Sequence, residues 1–295
     1  MKLKNFAKVL LSCLMAGALF TGCGGGDKPA DKPADKPAAE TPAAGGDIKL
    51  GMITHLNATE QKMSEILKMV QEDSGVKITN YVPTYYDSLK LMQMGIESGS
   101  VDQISLYSKV ADYVVANNDK YEVVGDSTLK ILSDNFCFAV RKDDTQLKAD
   151  LDKAIEELKA DGTLDKIVND YINNVDKGQA PPAIEIPMTE DAEKIKVGVT
   201  GDLPPLDYVN ADGKAAGFNT ALLAEVGKRL GKNIEVVDIE SGARAAALSS
   251  NQIDVIFWVV VPNGDKMPAD IDKPEGVELS APYFKDDVAH LKIKK

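Results

Sequence analysis

One pattern governs what this chain can fold into: its body is written twice. Ile48-Lys49-Leu50-Gly51-Met52-Ile53-Thr54 and Ile195-Lys196-Val197-Gly198-Val199-Thr200 are near echoes, each a short apolar strand running into polar or Gly/Pro sequence. After the first, Met63, Ile66, Leu67 and Val70 recur at helical spacing within 58–72, Gly75 ends the helix, and a strand is predicted over 76–82. A second helix from Asp87 stops at Gly99, ahead of Val101-Asp102-Gln103-Ile104. The second unit repeats the plan: a helix over 220–230 stopped by Gly231, a strand over 234–239, a helix through Arg244 to Leu248, then Ile253-Asp254-Val255-Ile256. From strand start to that Asp is 54 residues in one unit and 59 in the other. Strands alternating with helices at this spacing predict βαβ units and parallel sheets, hence two α/β lobes. A cleft between such lobes faces strand carboxyl ends and helix amino ends toward one shared space, where small ligands bind.

The residues before the repeat do not belong to it. Lys2, Lys4 and Lys8 precede an apolar run over 9–20, too short for the roughly 20 residues of a membrane-spanning helix and read instead as a secretory signal over 1–22. Residues 23–47 open with Cys23, then Gly-Gly-Gly and three copies of Asp-Lys-Pro-Ala, beginning at Asp27, Asp31 and Asp35. That composition cannot bury enough apolar surface to offset its ordering entropy, so a disordered, extended tether is predicted. Of the three cysteines, Cys13 lies in the leader and Cys137 alone follows Cys23, which leaves no internal disulfide. The net charge is −12 although the leader carries three lysines and no acid; nucleic acid and anionic membrane surfaces are poor partners for such a chain.

Leu19-Phe20-Thr21-Gly22-Cys23 resembles the lipobox of bacterial lipoproteins, with Phe20 in place of the usual leucine. The resemblance implies lipid on Cys23 and a body held outside the cytoplasm, in the cell envelope. A second resemblance lies in the repeats. Val197-Gly198-Val199-Thr200, Pro204-Pro205-Leu206, Gly213, Gly217-Phe218, Leu248-Ser249-Ser250, Ile253-Asp254 and Ser280-Ala281-Pro282-Tyr283-Phe284 are similar in order and spacing to the amino-terminal lobe of the extracellular solute-binding proteins, family 3, that serve polar amino-acid ABC importers. Phe138-Ala139-Val140-Arg141-Lys142-Asp143 and Asp161-Gly162-Thr163-Leu164-Asp165-Lys166-Ile167 look like the same family's carboxyl-terminal segment.

In the family that segment closes the protein; here it comes first. The resemblance therefore implies a two-lobed α/β fold of the type II periplasmic-binding-protein kind with its lobes in circularly permuted order. Residues 48–135 take the family's second lobe, 136–141 an interlobe crossing, and 142–175 the carboxyl-terminal segment, which packs on the first lobe. Residues 176–193 form the permutation linker, 194–287 the first lobe and 288–295 a second crossing strand. Such a rearrangement is tolerated when old ends lie close and new ends fall in a connection. One truncated copy followed by half of another is the alternative, and it would require a partner chain; the permuted reading expects a monomer.

The resemblance also points to ligand-binding positions, and this sequence departs from the family at each. The family's carboxylate-binding Arg falls near Lys266, a point charge without a bidentate fork. Its Thr pair becomes Leu56-Asn57, and Asn57 with Glu60 also fits a helix capping box. Thr54 and His55 sit at a strand end and either line the cleft or face solvent. The ammonium-binding Asp corresponds to Tyr107, the covering aromatic to Leu203, and the nearest spare acid is Asp202. Trp258, the only tryptophan, either begins the ligand-binding loop or packs in the core. Arg244 either turns to the cleft, as in members that take acidic ligands, or lies on a helix surface.

No Gly-x-Ser-x-Gly, phosphate-binding loop, His-Glu-x-x-His or metal-spaced Cys/His cluster occurs, and His55 and His290 are the only histidines. Neither a catalytic site nor a cofactor is predicted. The expected role is capture of a small polar molecule, an amino acid or related organic acid, for an ABC permease. A ligand sensor for a membrane receptor and a dehydratase-like enzyme on the same fold are the alternatives.

Overall fold

Two half-sheets that trade strands define the architecture. In the computed structural model the described residues are 47–57, 59–75, 80–125, 127, 132–174, 179–263 and 270–295, all within the unit Ala43–Lys295. The first half of the chain runs β1 (Ile48–Ile53), α1 (Glu60–Ser74), β2 (Tyr81–Tyr86), α2 (Leu89–Glu97), β3 (Gln103–Tyr107), α3 (Ser108–Asn117), β4 (Tyr121–Val123) and β5 (Ser133–Arg141). Two helices follow, α4 (Thr145–Ala160) and α5 (Thr163–Val168), the latter continued by a π-turn. The second half runs β6 (Lys194–Val199), β7 (Asp202–Leu203), β8 (Asp207–Val209), β9 (Ala215–Ala216), α6 (Phe218–Leu230), β10 (Asn233–Asp238), α7 (Arg244–Ser249), β11 (Val255–Pro262) and β12 (Val277–Ile293).

Local chemistry sets the element ends. Thr59 caps α1 by accepting the Lys62 N–H, and the helix stops at Gly75, whose φ of 67° suits the left-handed turn that returns its N–H to Gln71. The expected capping box at Asn57 is not formed, because Asn57 is drawn into contacts with Asp272 and Lys273. Residues 76–79 of the expected strand over 76–82 lie outside the described residues, and the strand itself runs from Tyr81 to Tyr86. α6 ends at Gly231 with Lys228 and Arg229 in its last turn, where cations oppose the helix dipole.

β1 lies between parallel β2 and β3, and β6 between parallel β10 and β11. Each trio is completed by an antiparallel strand from the other half of the chain. β5 pairs with β11, and β12 pairs with β5 over Val277–Asp287. From Val288 onward β12 leaves β5 and pairs with β3 and β4. Both half-sheets thus read second, first, third, a strand from the other half, then fourth, and they join into one path through β12. Phe136–Arg141, the expected interlobe crossing, lie within β5, which pairs with β11 on one side and β12 on the other. The expected crossing over 288–295 corresponds to the second section of β12.

The repeated Asp has the same task in both lobes. Asp102 accepts the Lys49 N–H at 2.9 Å and Asp254 that of Lys196 at 3.0 Å, while the N–H of each Asp donates to the carbonyl of the same lysine at 2.8 Å. These rings tie the third strand to the first, so the sequence echo is an echo of sheet assembly.

One apolar cluster runs from Met92 and Ile104 in the first lobe to Leu222 and Val226 in the second. At its centre Phe138 and Phe257 lie 4.6 and 5.4 Å from the Tyr283 ring, and the Tyr283 hydroxyl donates to the Phe257 carbonyl at 2.7 Å. Aromatic burial with the phenol satisfied in this way stabilises without leaving a polar orphan. α4 and α5 pack on α6, and the Arg229–Asp161 ion pair joins the two layers.

Candidate functional site

The strand carboxyl ends converge on a cavity of about 90 Å³ between the half-sheets. From the first lobe its wall takes Ile53 and His55 after β1, Ser105 to Tyr107 at the end of β3, and Ile66 of α1; from the second it takes Leu203, Trp258, Val260, Ile271, Asp272 and, on β5, Asp134. Most of this wall is apolar. Its polar groups are His55, Tyr107, Asp134, Asp272 and Ser105.

Asp272 is fully buried on the second lobe and gripped by the first. Its carboxylate accepts the Asn57 N–H at 2.9 Å and lies 3.3 Å from His55 Nδ1. Asn57 Nδ2 also donates to the Lys273 carbonyl at 2.9 Å. Burial pushes the Asp272 carboxyl up, but His55, the Asn57 amide and the Arg244 charge together outweigh it and hold the group below the usual carboxylate range.

Asp134 stands differently. It accepts the Tyr107 hydroxyl at 3.1 Å, and burial raises its pKa against the opposing pull of His55 and Tyr107. Burial and the same Asp134 hold the Tyr107 phenol well above its ordinary value. Directly across the β5–β12 ladder sits Asp286, which caps α3 by accepting the Ser108 hydroxyl and the Lys109 N–H.

Arg244 and Trp258 form a buried pair. The guanidinium lies 3.8 Å from the Trp258 ring centroid, a favourable cation–π geometry. Its N–H groups donate to the carbonyls of Ser241 at 3.0 Å, Trp258 at 2.7 Å and Thr54 at 3.4 Å. Burial lowers the Arg244 pKa to about 10. His55 meets the Trp258 ring edge-on at 5.8 Å.

Of the residues singled out in the sequence, His55, Tyr107, Leu203 and Trp258 line the cavity. Thr54 lies behind it as the carbonyl that receives Arg244, with its hydroxyl on the Tyr86 carbonyl. Arg244 is a completely buried residue and not on a helix surface. Asn57 and Asp202 bridge the lobes: Asp202 accepts the Leu89 N–H at the amino end of α2, and burial raises its carboxyl to about 7. Lys266 and Cys23 lie outside the described residues. Sequence reading missed Asp134, an acid just ahead of an apolar run, and Asp272, an acid in a polar loop with no local signal of burial.

The family described as "Bacterial extracellular solute-binding proteins, family 3" matches residues 55–174 and 195–266, more than half of the chain. The chain belongs to this family. Among curated relatives, it is 27% identical over 101 residues to "Probable ABC transporter arginine-binding protein ArtJ" of Chlamydia trachomatis serovar D and 29% identical over 100 residues to "Probable histidine-binding protein" of Campylobacter jejuni. Each alignment covers 34% of this chain and 36% of the relative, so the chain spans about a third of the length of the curated relatives it matches. Among solved structures, the GluR0 ligand-binding core from Nostoc punctiforme in complex with (L)-glutamate aligns at 9% identity, 84% and 85% coverage and a TM-score of 0.36. The ligand-binding component of an ABC-type import system from Staphylococcus aureus, with zinc bound, aligns at 10% identity, 83% and 66% coverage and a TM-score of 0.40. Family 3 members are binding proteins. Among the described residues no group of three or more His, Cys, Asp or Glu is arranged to hold a metal ion, and no helix is long and apolar enough to cross a membrane.

Proposed function

We propose that this family 3 protein captures a small solute between its lobes and presents the closed form to a membrane partner, an ABC permease or a receptor. The observation that carries the reading is the shared cavity: His55 and Tyr107 from one lobe face Trp258 and Asp272 from the other across it. A site whose walls come from two lobes binds by bringing them together, and ligand binding energy is what shifts the open–closed balance. The relatives named for arginine and histidine support a nitrogen-bearing solute of low mass. The proposal includes a lipid on Cys23 that keeps the body at the outer face of a membrane.

It also includes the circular permutation, supported by the two matched blocks and by the equal strand order of the lobes. Leu291 and Gly51 flank Ile104 on opposite sides, which sets the start of β1 and the end of β12 two strand spacings apart, roughly 10 Å. The family's uninterrupted connection would run there.

Small-angle scattering and thermal shift, taken together across a panel of amino acids, amines and organic acids, test capture. A binding solute is expected to compact the protein and raise its melting temperature together. A panel that does neither would remove the solute-capture reading. Labelling with palmitate, lost in Cys23→Ala, tests the anchor.

A further inference from the structure

Among its described lining residues the cavity holds two aspartates, Asp134 and Asp272, and neither Lys nor Arg. Asp134, Asp272 and Asp286 all raise the Tyr107 phenol, so three acids surround one point. Asp286 is spent on α3, and Asp272 on His55, Asn57 and the Val260 N–H. The Asp134 carboxylate receives the Tyr107 hydroxyl and faces the cavity. Among the described lining residues there is no Lys or Arg. Arg244 is completely buried against Trp258 with its guanidinium turned to three backbone carbonyls, and it is not among the cavity's lining residues. A carboxylate entering here would meet apolar surface and like charge, at a desolvation cost of several kcal/mol. An ammonium group would meet the Asp134 carboxylate, which lines the cavity beside the Tyr107 hydroxyl.

Size narrows the class. A cavity of about 90 Å³ has room for roughly six water-sized groups, taking about 15 Å³ for each. That admits a short apolar chain with one polar end.

We infer that the cleft selects a small organic cation, a protonated primary amine on an apolar body of about four carbons, with Asp134 as its charge partner, over the zwitterion of the same skeleton. The inference rests on the solute-capture reading and specifies its ligand. Apart from the Tyr107 hydroxyl, the acid the site needs comes from β5, a strand of the opposite lobe to Tyr107, so cation binding and lobe closure are the same event.

Four matched probes test this on the whole chain by calorimetry and thermal shift: n-butylamine, norvaline (the same skeleton with a carboxylate), pentanoate (norvaline without its amine) and n-butanol. We expect n-butylamine to bind at least tenfold more tightly than any of the other three, and Asp134→Asn to weaken it at least tenfold with the unliganded melting temperature little changed. Should Asp134→Asn fail to fold, the wild-type rank order decides alone. Norvaline or pentanoate binding as tightly as n-butylamine would overturn the inference, and loss of that binding in Lys266→Ala would locate the carboxylate receptor responsible. Unaltered n-butylamine binding in Asp134→Asn would overturn it as well. If none of the four binds while another solute compacts the protein, the amine inference falls and capture stands; if nothing compacts it, both fall.

Discussion

Two buried side chains carry charge problems that single substitutions expose. Arg244 satisfies three carbonyls from both lobes and covers the Trp258 ring. Removing it orphans acceptors that cost about 1–3 kcal/mol each when buried unpaired, and lysine cannot reproduce the planar fork. Arg244→Ala is therefore expected to lose at least about 2 kcal/mol of stability in urea unfolding, with Arg244→Lys recovering little of it. His290 poses the opposite case. It is fully buried beside Gln103, Ser127 and the Tyr81 ring, and burial lowers its pKa from 6.5 to about 4. The folded state thus prefers the neutral ring, so the stability this preference confers is present above pH 6.5 and is lost as pH falls toward 4. The loss should amount to roughly 3 kcal/mol, seen as a falling urea midpoint that flattens in His290→Gln.

At the scale of elements, α2 is held at its amino end by both lobes: Ser88 accepts the Leu91 N–H from within the chain segment, and Asp202 accepts the Leu89 N–H from across the cleft. With its carboxyl raised to about 7, Asp202 favours the protonated folded state. Its contribution is complete below about pH 4 and is lost as pH rises through 7, the reverse of His290. Asp202→Asn keeps an acceptor for Leu89 and removes the titration. It should stabilise the protein at pH 8, by up to about 4 kcal/mol, and have much less effect at pH 5, as urea midpoints at the two values would reveal.

The echoed strands β1 and β6 and the glycine-stopped helices were legible because their signals are local. β2 was legible only at its start, where the expected strand over 76–82 meets it at Tyr81 and Val82; Pro83 speaks against a longer strand, yet β2 lies at the sheet edge, where a missing N–H costs no ladder bond. His55 and Trp258 could be read from strand ends, whereas Asp134 and Asp272 acquire their roles from register and from the opposite lobe. Arg244 looked like a helix surface residue or a cleft residue because sequence alone does not reveal that the helix it begins is pressed between Trp258 and Thr54.

For the molecule as a whole, the proposed permutation makes a strong demand on geometry. Joining Lys295 to Asp47 by a short flexible linker and opening the chain within 179–187 would reconnect the roughly 10 Å gap across β3 and leave every strand pair in place. The relinked protein is expected to unfold in one transition, within about 1 kcal/mol of the parent, and to bind the same solutes. A relinked chain that fails to fold while the parent is stable would mean the order of the halves is not interchangeable. Cys137, buried in β5 with its thiol pushed up to about 12, offers the readout, since modification by a thiol reagent should track global unfolding in both forms.

The division of β12 between two sheets also governs the order in which the protein can come into being. The strand that fits between β3 and β4 begins at Val288, so the leading lobe emerges from the ribosome with an unfilled slot in its sheet. At typical rates of 5–20 residues per second that slot stays open for roughly 10–30 s, exposed to any passing strand. The second section of β12 is made well after β3 and β4, and it is the strand that joins them.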